Sequence, residues 1–172
     1  MFEWEESTFL GLKKLYQRLV TKPQQREREA RQANLADHRS SLVFLARMLS
    51  GENLGIFETE NPVLYTQGRI CLPPHFHVAE TSEANLQLYQ LKTVIAALAH
   101  RDQWQGTCDE LEKYAASLAV EFPRLAEKIQ LVEKALIEDP EEEFTLWEIL
   151  GEPAGHTEQS KEALAAAPGE LD

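Results

Sequence analysis

Two adjacent prolines, Pro73-Pro74, separate a β-type run from the most apolar helix-forming stretch of the chain. Proline has no amide hydrogen and clashes with a preceding helical turn, so neither a strand ladder nor a helix continues through the pair. The run before it, Arg69-Ile-Cys-Leu72, is short and aliphatic. The stretch after it starts with Ser82 as a candidate N-cap and runs to about Arg101. Its Leu86, Leu88, Tyr89, Leu91, Val94, Ile95 and Leu98 point in nearly all directions around a helical axis. A helix apolar all round is a buried one. The chain must therefore turn from a small β element into a central helix at the prolines.

The rest of the sequence reads as amphipathic helices around that centre. A first helix is expected from about Ser7 to Pro23, with Leu12, Tyr16 and Leu19 on its core face. The run Pro23 to Arg31 mixes charges of both signs and reads as a solvated helical turn. A second helix is expected from about Glu29 to Leu49, with Leu35, Leu42, Leu45, Ala46 and Leu49 as its stripe and Gly51 as its stop. Between Leu54 and Leu72 the period shortens. Asn61-Pro62 and Gln67-Gly68 divide that region into two or three short strands. After the central helix, Thr107 and Glu110 form a capping-box pattern ahead of Leu111, Tyr114, Ala115, Leu118 and Phe122. Pro123 suits the first turn of the next helix, which carries Leu125, Ile129, Val132 and Leu136. Asp139-Pro140 predicts a last helix to about Leu150, burying Phe144, Leu146 or Trp147, and Ile149. The expected fold is mainly α: a helical bundle of about five to six helices with a small β-hairpin or meander between helices two and three. Residues 1–150 are expected to form the helical domain. Residues 151–172, rich in Gly, Pro, Ala and Glu, are expected to be a flexible linker or tail leading to a further domain.

Charge narrows the function classes. The chain carries 17 Lys and Arg against 29 Asp and Glu, a formal net charge of -12. Phosphate backbones repel such a surface, while a basic protein surface suits it. No window approaches 18 apolar residues in succession, so no membrane span is expected. The acidic N-terminus does not resemble a signal peptide, and a cytoplasmic location is expected. Cys71 and Cys108 are too few for a disulfide framework and are read as reduced.

No catalytic, cofactor or metal constellation stands out. His75 and His77 form a His-x-His pair, but a metal site needs further ligands at suitable spacing. A carboxylate-bridged bundle site needs Glu three residues before a ligating His. The positions three before each histidine are Leu35, Leu72, Pro74, Ala97 and Pro153. His100-Arg101-Asp102 echoes a kinase triplet without a glycine-rich loop or Asp-Phe-Gly. Trp4, Trp104 and Trp147 lie near element ends and are read as tucked into the core edge. The acidic run Glu141 to Glu143 is read as helix-end stabilisation.

Tyr16-Gln-Arg-Leu19, Leu72-Pro73-Pro74, Asn85, Leu88-Tyr89 and Ala96-Ala-Leu-Ala-His100 occur in that order, followed by Glu121-Phe-Pro-Arg-Leu125 and Asp139-Pro140. In these motifs residues 10 to 150 resemble the N-terminal region of the CbbO/NorD family. The resemblance implies an adaptor that links a hexameric MoxR-type AAA+ ATPase to a client protein. It implies no catalytic residue, metal or cofactor in this region. The family's von Willebrand factor A domain, with its Asp-x-Ser-x-Ser signature, has no counterpart in these residues. The implied client is inhibited Rubisco in the CbbO branch, which is favoured here, or nitric oxide reductase in the NorD branch. An independent helical scaffold or regulator is the alternative.

Overall fold

The computed structural model describes residues 22–138 and 144–154. Six helices and five short strands make up these residues. They are α1 (Lys22–Arg31), β1 (Ala33–Asn34), α2 (Leu35–Ser50), β2 (Gly55–Glu58), β3 (Tyr65–Thr66), β4 (Arg69–Leu72) and β5 (His75–Phe76). These are followed by α3 (Ser82–Arg101), α4 (Cys108–Glu121), α5 (Pro123–Ala135) and α6 (Leu146–Leu150). The chain is mainly α, with four of the five strands between the second and third described helices and β1 between the first and second. The helix expected from Ser7, together with Trp4, residues 139–143 and residues 155–172, lies outside the described residues.

The centre is α3. Leu88, Tyr89, Leu91, Ile95, Ala96, Ala97, Leu98 and Ala99 have no solvent exposure at all. Helices α2 and α5 and strand β4 pack against it. Its N-cap is Thr81 rather than Ser82: the Thr81 hydroxyl accepts a hydrogen bond from Ala84 N–H at 3.1 Å. A cap must be extended while the next residue is already helical, and Thr81 has φ -132° and ψ 157°.

The double proline works through its two carbonyls. Tyr89 Oη donates to Pro73 O at 2.6 Å, and Leu35 N–H donates to Pro74 O at 2.9 Å. The first bond ties the turn to the core helix. The second satisfies a first-turn amide of α2, where Asn34 supplies no side-chain cap. Beyond the prolines the chain does not stay irregular. His75-Phe76 pairs antiparallel with Ala33-Asn34, in register Ala33 with Phe76 and Asn34 with His75. That pairing breaks the helix expected to run unbroken from Glu29 to Leu49. It ends at Arg31 and restarts at Leu35, because residues 33 and 34 are needed in the ladder.

The three-stranded sheet has the order β2-β4-β3. Strands β3 and β4 form the expected hairpin, turned at Gln67-Gly68, where Gly68 takes φ +70°. Strand β2 lies parallel to β4, with Ile56 opposite Ile70 and Phe57 opposite Cys71, so the arrangement is not a meander. Arg39 donates to Ile56 O at 3.2 Å along the outer side of β2. The outer side of β3 is occupied by residues expected to belong to the linker. Leu64 N–H donates to Glu152 O and Ala154 N–H donates to Tyr65 O, both at 2.9 Å. The folded unit therefore continues to Ala154 rather than stopping at 150. An unpaired strand edge exposes backbone donors and acceptors, and this segment satisfies them.

The remaining helices follow the sequence pattern closely. Thr107 and Glu110 close a capping box on α4, and Pro123 is the first residue of α5. Leu111, Ala115 and Leu118 on α4, and Leu125 and Val132 on α5, are buried. The last described helix is short and ends at Leu150 as expected, while the start expected at Asp139-Pro140 lies outside the described residues. It starts at Leu146, capped by a second box between Thr145 and Glu148, and Phe144 ahead of it is 60% exposed instead of buried.

Candidate ligand cleft

One cleft draws its lining from four separate parts of the chain. Arg28 and Arg31 lie three apart on one face of α1. His77 and Val78 follow β5; Leu136 and Ile137 follow α5; Phe144 and Ile149 bracket the start of α6. The space between them is about 100 Å3.

Backbone ties hold these parts in place. Ile137 N–H donates to Val78 O, and Glu80 N–H donates to Ala135 O, both at 2.9 Å. Arg31 Nε donates to His77 O at 2.9 Å. Asn85, on α3 and with no exposed surface, clamps the same region from inside. Its Oδ1 accepts from Ala79 N–H at 3.0 Å. Its Nδ2 lies within donating distance of Arg31 O at 2.7 Å, Thr81 O at 3.0 Å and Ala79 O at 3.2 Å. A buried amide satisfied on both sides fixes its partners firmly. The backbone at Arg31, His77 to Glu80 and Ala135 to Ile137 is thus held in place, and the lining combines two guanidiniums and an imidazole with aliphatic side chains.

The electrostatics are local and positive. Burial, then Arg28, Arg31 and His75, hold the His77 imidazole below its ordinary pKa of 6.5. Two guanidiniums facing a histidine also disfavour a cation there, which argues against a His75–His77 metal site on charge grounds. The pair is not arranged as one: the His75 ring is engaged instead by Asn34 Oδ1 at 2.9 Å and Gln32 Nε2 at 3.2 Å. No group of three or more His, Cys, Asp or Glu side chains suited to a metal ion occurs among the described residues.

The kinase-like triplet has structural partners. His100 is buried, edge-on to Tyr65 at 5.5 Å between ring centroids, with Nδ1 3.3 Å from Glu52 Oε2. Arg101 reaches Asp102 Oδ1 at 2.8 Å and both Glu121 oxygens at 3.0 Å, tying the end of α3 to the end of α4. Those bonds hold the Asp102 carboxyl below its usual range, with Tyr114 Oη adding a bond at 2.7 Å. Trp104 stacks on Tyr114, with centroids 4.8 Å apart, and Trp147 is half-buried, both at the core edge as expected.

Two other polar groups lie deep in the core. Cys71 is 1% exposed, and burial pushes its thiol up to about 11 despite the nearby cations Lys92 and Arg69. Lys92, on α3, is also 1% exposed, and burial lowers its ammonium to about 8. Both cysteines are free; Cys108 Sγ lies 3.0 Å from Trp147 O.

Spacing in the sequence does not reveal the cleft. Arg28 and Arg31 belong to a run that reads as solvated charge, and their cleft partners lie about 45 to 120 positions further along. The one available signal is the shared face that a three-residue separation gives two arginines on a helix. No helix among the described residues is long and apolar enough to cross a membrane. No protein-family model, curated protein or solved structure matches the chain.

Proposed function

We propose that this chain is a non-catalytic docking module: the N-terminal domain of a cytoplasmic adaptor that links a MoxR-type AAA+ ATPase hexamer to a client. Within that reading we favour the Rubisco-activating branch, with nitric oxide reductase maturation as the alternative client. The motif resemblance supplies the family. The observation that carries a docking role is a pair on the outer face of α2. Phe44 and Met48 are 69% and 63% exposed and lie one helical turn apart. Large apolar side chains adjacent on a helix surface suit a partner's groove. Their exposure also means that replacing them leaves the core intact.

Co-elution of the chain with the cognate ATPase, together with an ATPase assay, tests the reading. The expected result is a complex that the double substitution Phe44→Ser, Met48→Ser weakens at least tenfold, while thermal stability stays within about 0.5 kcal/mol of the parent. Absence of any complex with the parent chain would leave an independent helical scaffold in its place.

A further inference from the structure

We propose that the cleft between α1 and the α5–α6 region binds an organic carboxylate, its acid group between Arg28 and Arg31 and its aliphatic part against Leu136, Ile137 and Ile149. This inference does not rest on the ATPase reading.

The first argument is unused charge. In a chain with twelve more acidic than basic side chains, an arginine has many possible carboxylate partners. Arg39 and Arg101 take them, at 3.8 Å to Glu58 and at 3.0 Å to Glu121, whereas Arg26, Arg47, Arg69 and Arg124 do not among the described residues; what sets Arg28 and Arg31 apart is that both line one cleft. Arg28 and Arg31 form no ion pair among the described residues. Among the described residues Arg31 bonds only through Nε, to His77 O, and its two terminal nitrogens have no partner there. A guanidinium fork presents parallel donors that match a carboxylate's two oxygens.

The second argument is shape. A cavity of about 100 Å3 far exceeds the roughly 10–15 Å3 needed to hold one water. Its lining combines two guanidiniums and an imidazole with aliphatic side chains, a mixture that suits a small amphipathic ligand. A hydrated inorganic ion would leave the Leu136, Ile137 and Ile149 side chains unused. A nucleic acid backbone would be repelled by a chain of net charge -12. An alkyl or peptide-borne carboxylate uses both halves.

The third argument is rigidity. The lining is tied by Asn85, by the Arg31–His77 bond and by the pairing of residues 78–80 with 135–137. A ligand therefore meets donors already in place and does not have to order them.

The carboxylate has two possible sources: a free small acid, or a glutamate or terminal carboxylate on a peptide. The test follows the His77 ring resonances of the full chain by NMR while probes are added. These are 4-methylpentanoate, its neutral amide, inorganic phosphate, and the dipeptide acetyl-Leu-Glu. The expected result is saturable shifts with at least one of the two organic carboxylates and none with the amide. Arg28→Gln, at an exposed position, should weaken that binding at least fivefold, and Arg31→Gln should do so more strongly. Saturation by 4-methylpentanoate alone assigns a small acid; saturation by the dipeptide alone assigns a peptide; both support the site. Equal binding of the amide or of phosphate, undiminished binding to Arg28→Gln, or no saturation by either carboxylate overturns the proposal.

Discussion

Lys92 is an ammonium placed where a hydrocarbon would be expected. The drop from 10.5 to about 8 is some 2.5 pKa units, or about 3 kcal/mol of penalty on the charged form at about 1.4 kcal/mol per unit. The unfolded chain binds more protons than the folded one between the two values, so this group makes stability rise with pH from about 8 towards 10.5. Cys71 acts in the opposite sense. Its thiol is raised from 9.0 to about 11, so its contribution falls as pH climbs above 9. The clean window is therefore pH 8 to 9. Lys92→Met, close in volume and uncharged, is expected to raise stability at pH 7 by about 1–3 kcal/mol and to flatten the rise across that window. Urea melts at pH 7, 8 and 9 measure it; a loss of stability at pH 7 would mean the ammonium has a compensating role. Asn85 is the contrasting case, a buried polar residue whose side chain serves several backbone partners at once. Asn85→Ala strips Ala79 N–H of its hydrogen bond, and Arg31 O and two further carbonyls lose the same amide donor. It is expected to lower stability by about 2–4 kcal/mol, read from the denaturant midpoint.

At the scale of elements, the sequence was legible where local chemistry decides. Thr107 with Glu110, Pro123 and the all-round apolar stretch from Leu88 to Ala99 each specify their own structure, and each stands as expected. It was not legible where a distant strand decides. Nothing near Gln32 signals a helix break; the break exists because His75-Phe76 supplies a pairing partner more than 40 residues away. The same holds for residues 151–154, whose composition reads as linker but whose backbone completes β3. Helix α6 hands over to that segment at Gly151, which has φ +79°. A Cβ there would lie 1.9 Å from Pro62 O, against backbone that has no room to give. Gly151→Ala is therefore expected to cost about 2–4 kcal/mol. Hydrogen exchange locates the damage: faster exchange at Leu64 and Ala154 amides is expected, with α4 and α5 little changed. Uniform loss of protection would place Gly151 in a wider role. The cleft lay furthest from view, since its charge comes from α1 and its apolar side from the end of α5.

Taken as a whole molecule, the chain keeps its polar exceptions near one helix. Asn85, Lys92, Thr93 and His100 are the buried polar residues among those described, and all four lie on α3. The outer surface divides differently: a net acidic shell, an apolar pair at Phe44 and Met48, and a positive cleft at Arg28 and Arg31. Val120, Leu131 and Phe144 are exposed as well, but singly; the adjacent Phe44–Met48 pair and the cleft are where contact with other molecules is expected. The sheet contributes little to such contacts, because Arg39 sits along β2 and residues 152–154 along β3. Edge strands are the usual templates for adding a foreign strand. In the three-stranded sheet, Arg39 occupies one outward carbonyl of β2 and residues 152–154 line β3, so among the described residues that sheet presents less free backbone to a neighbouring copy. Association between copies then falls more to side chains on helices, where a single substitution can tune it.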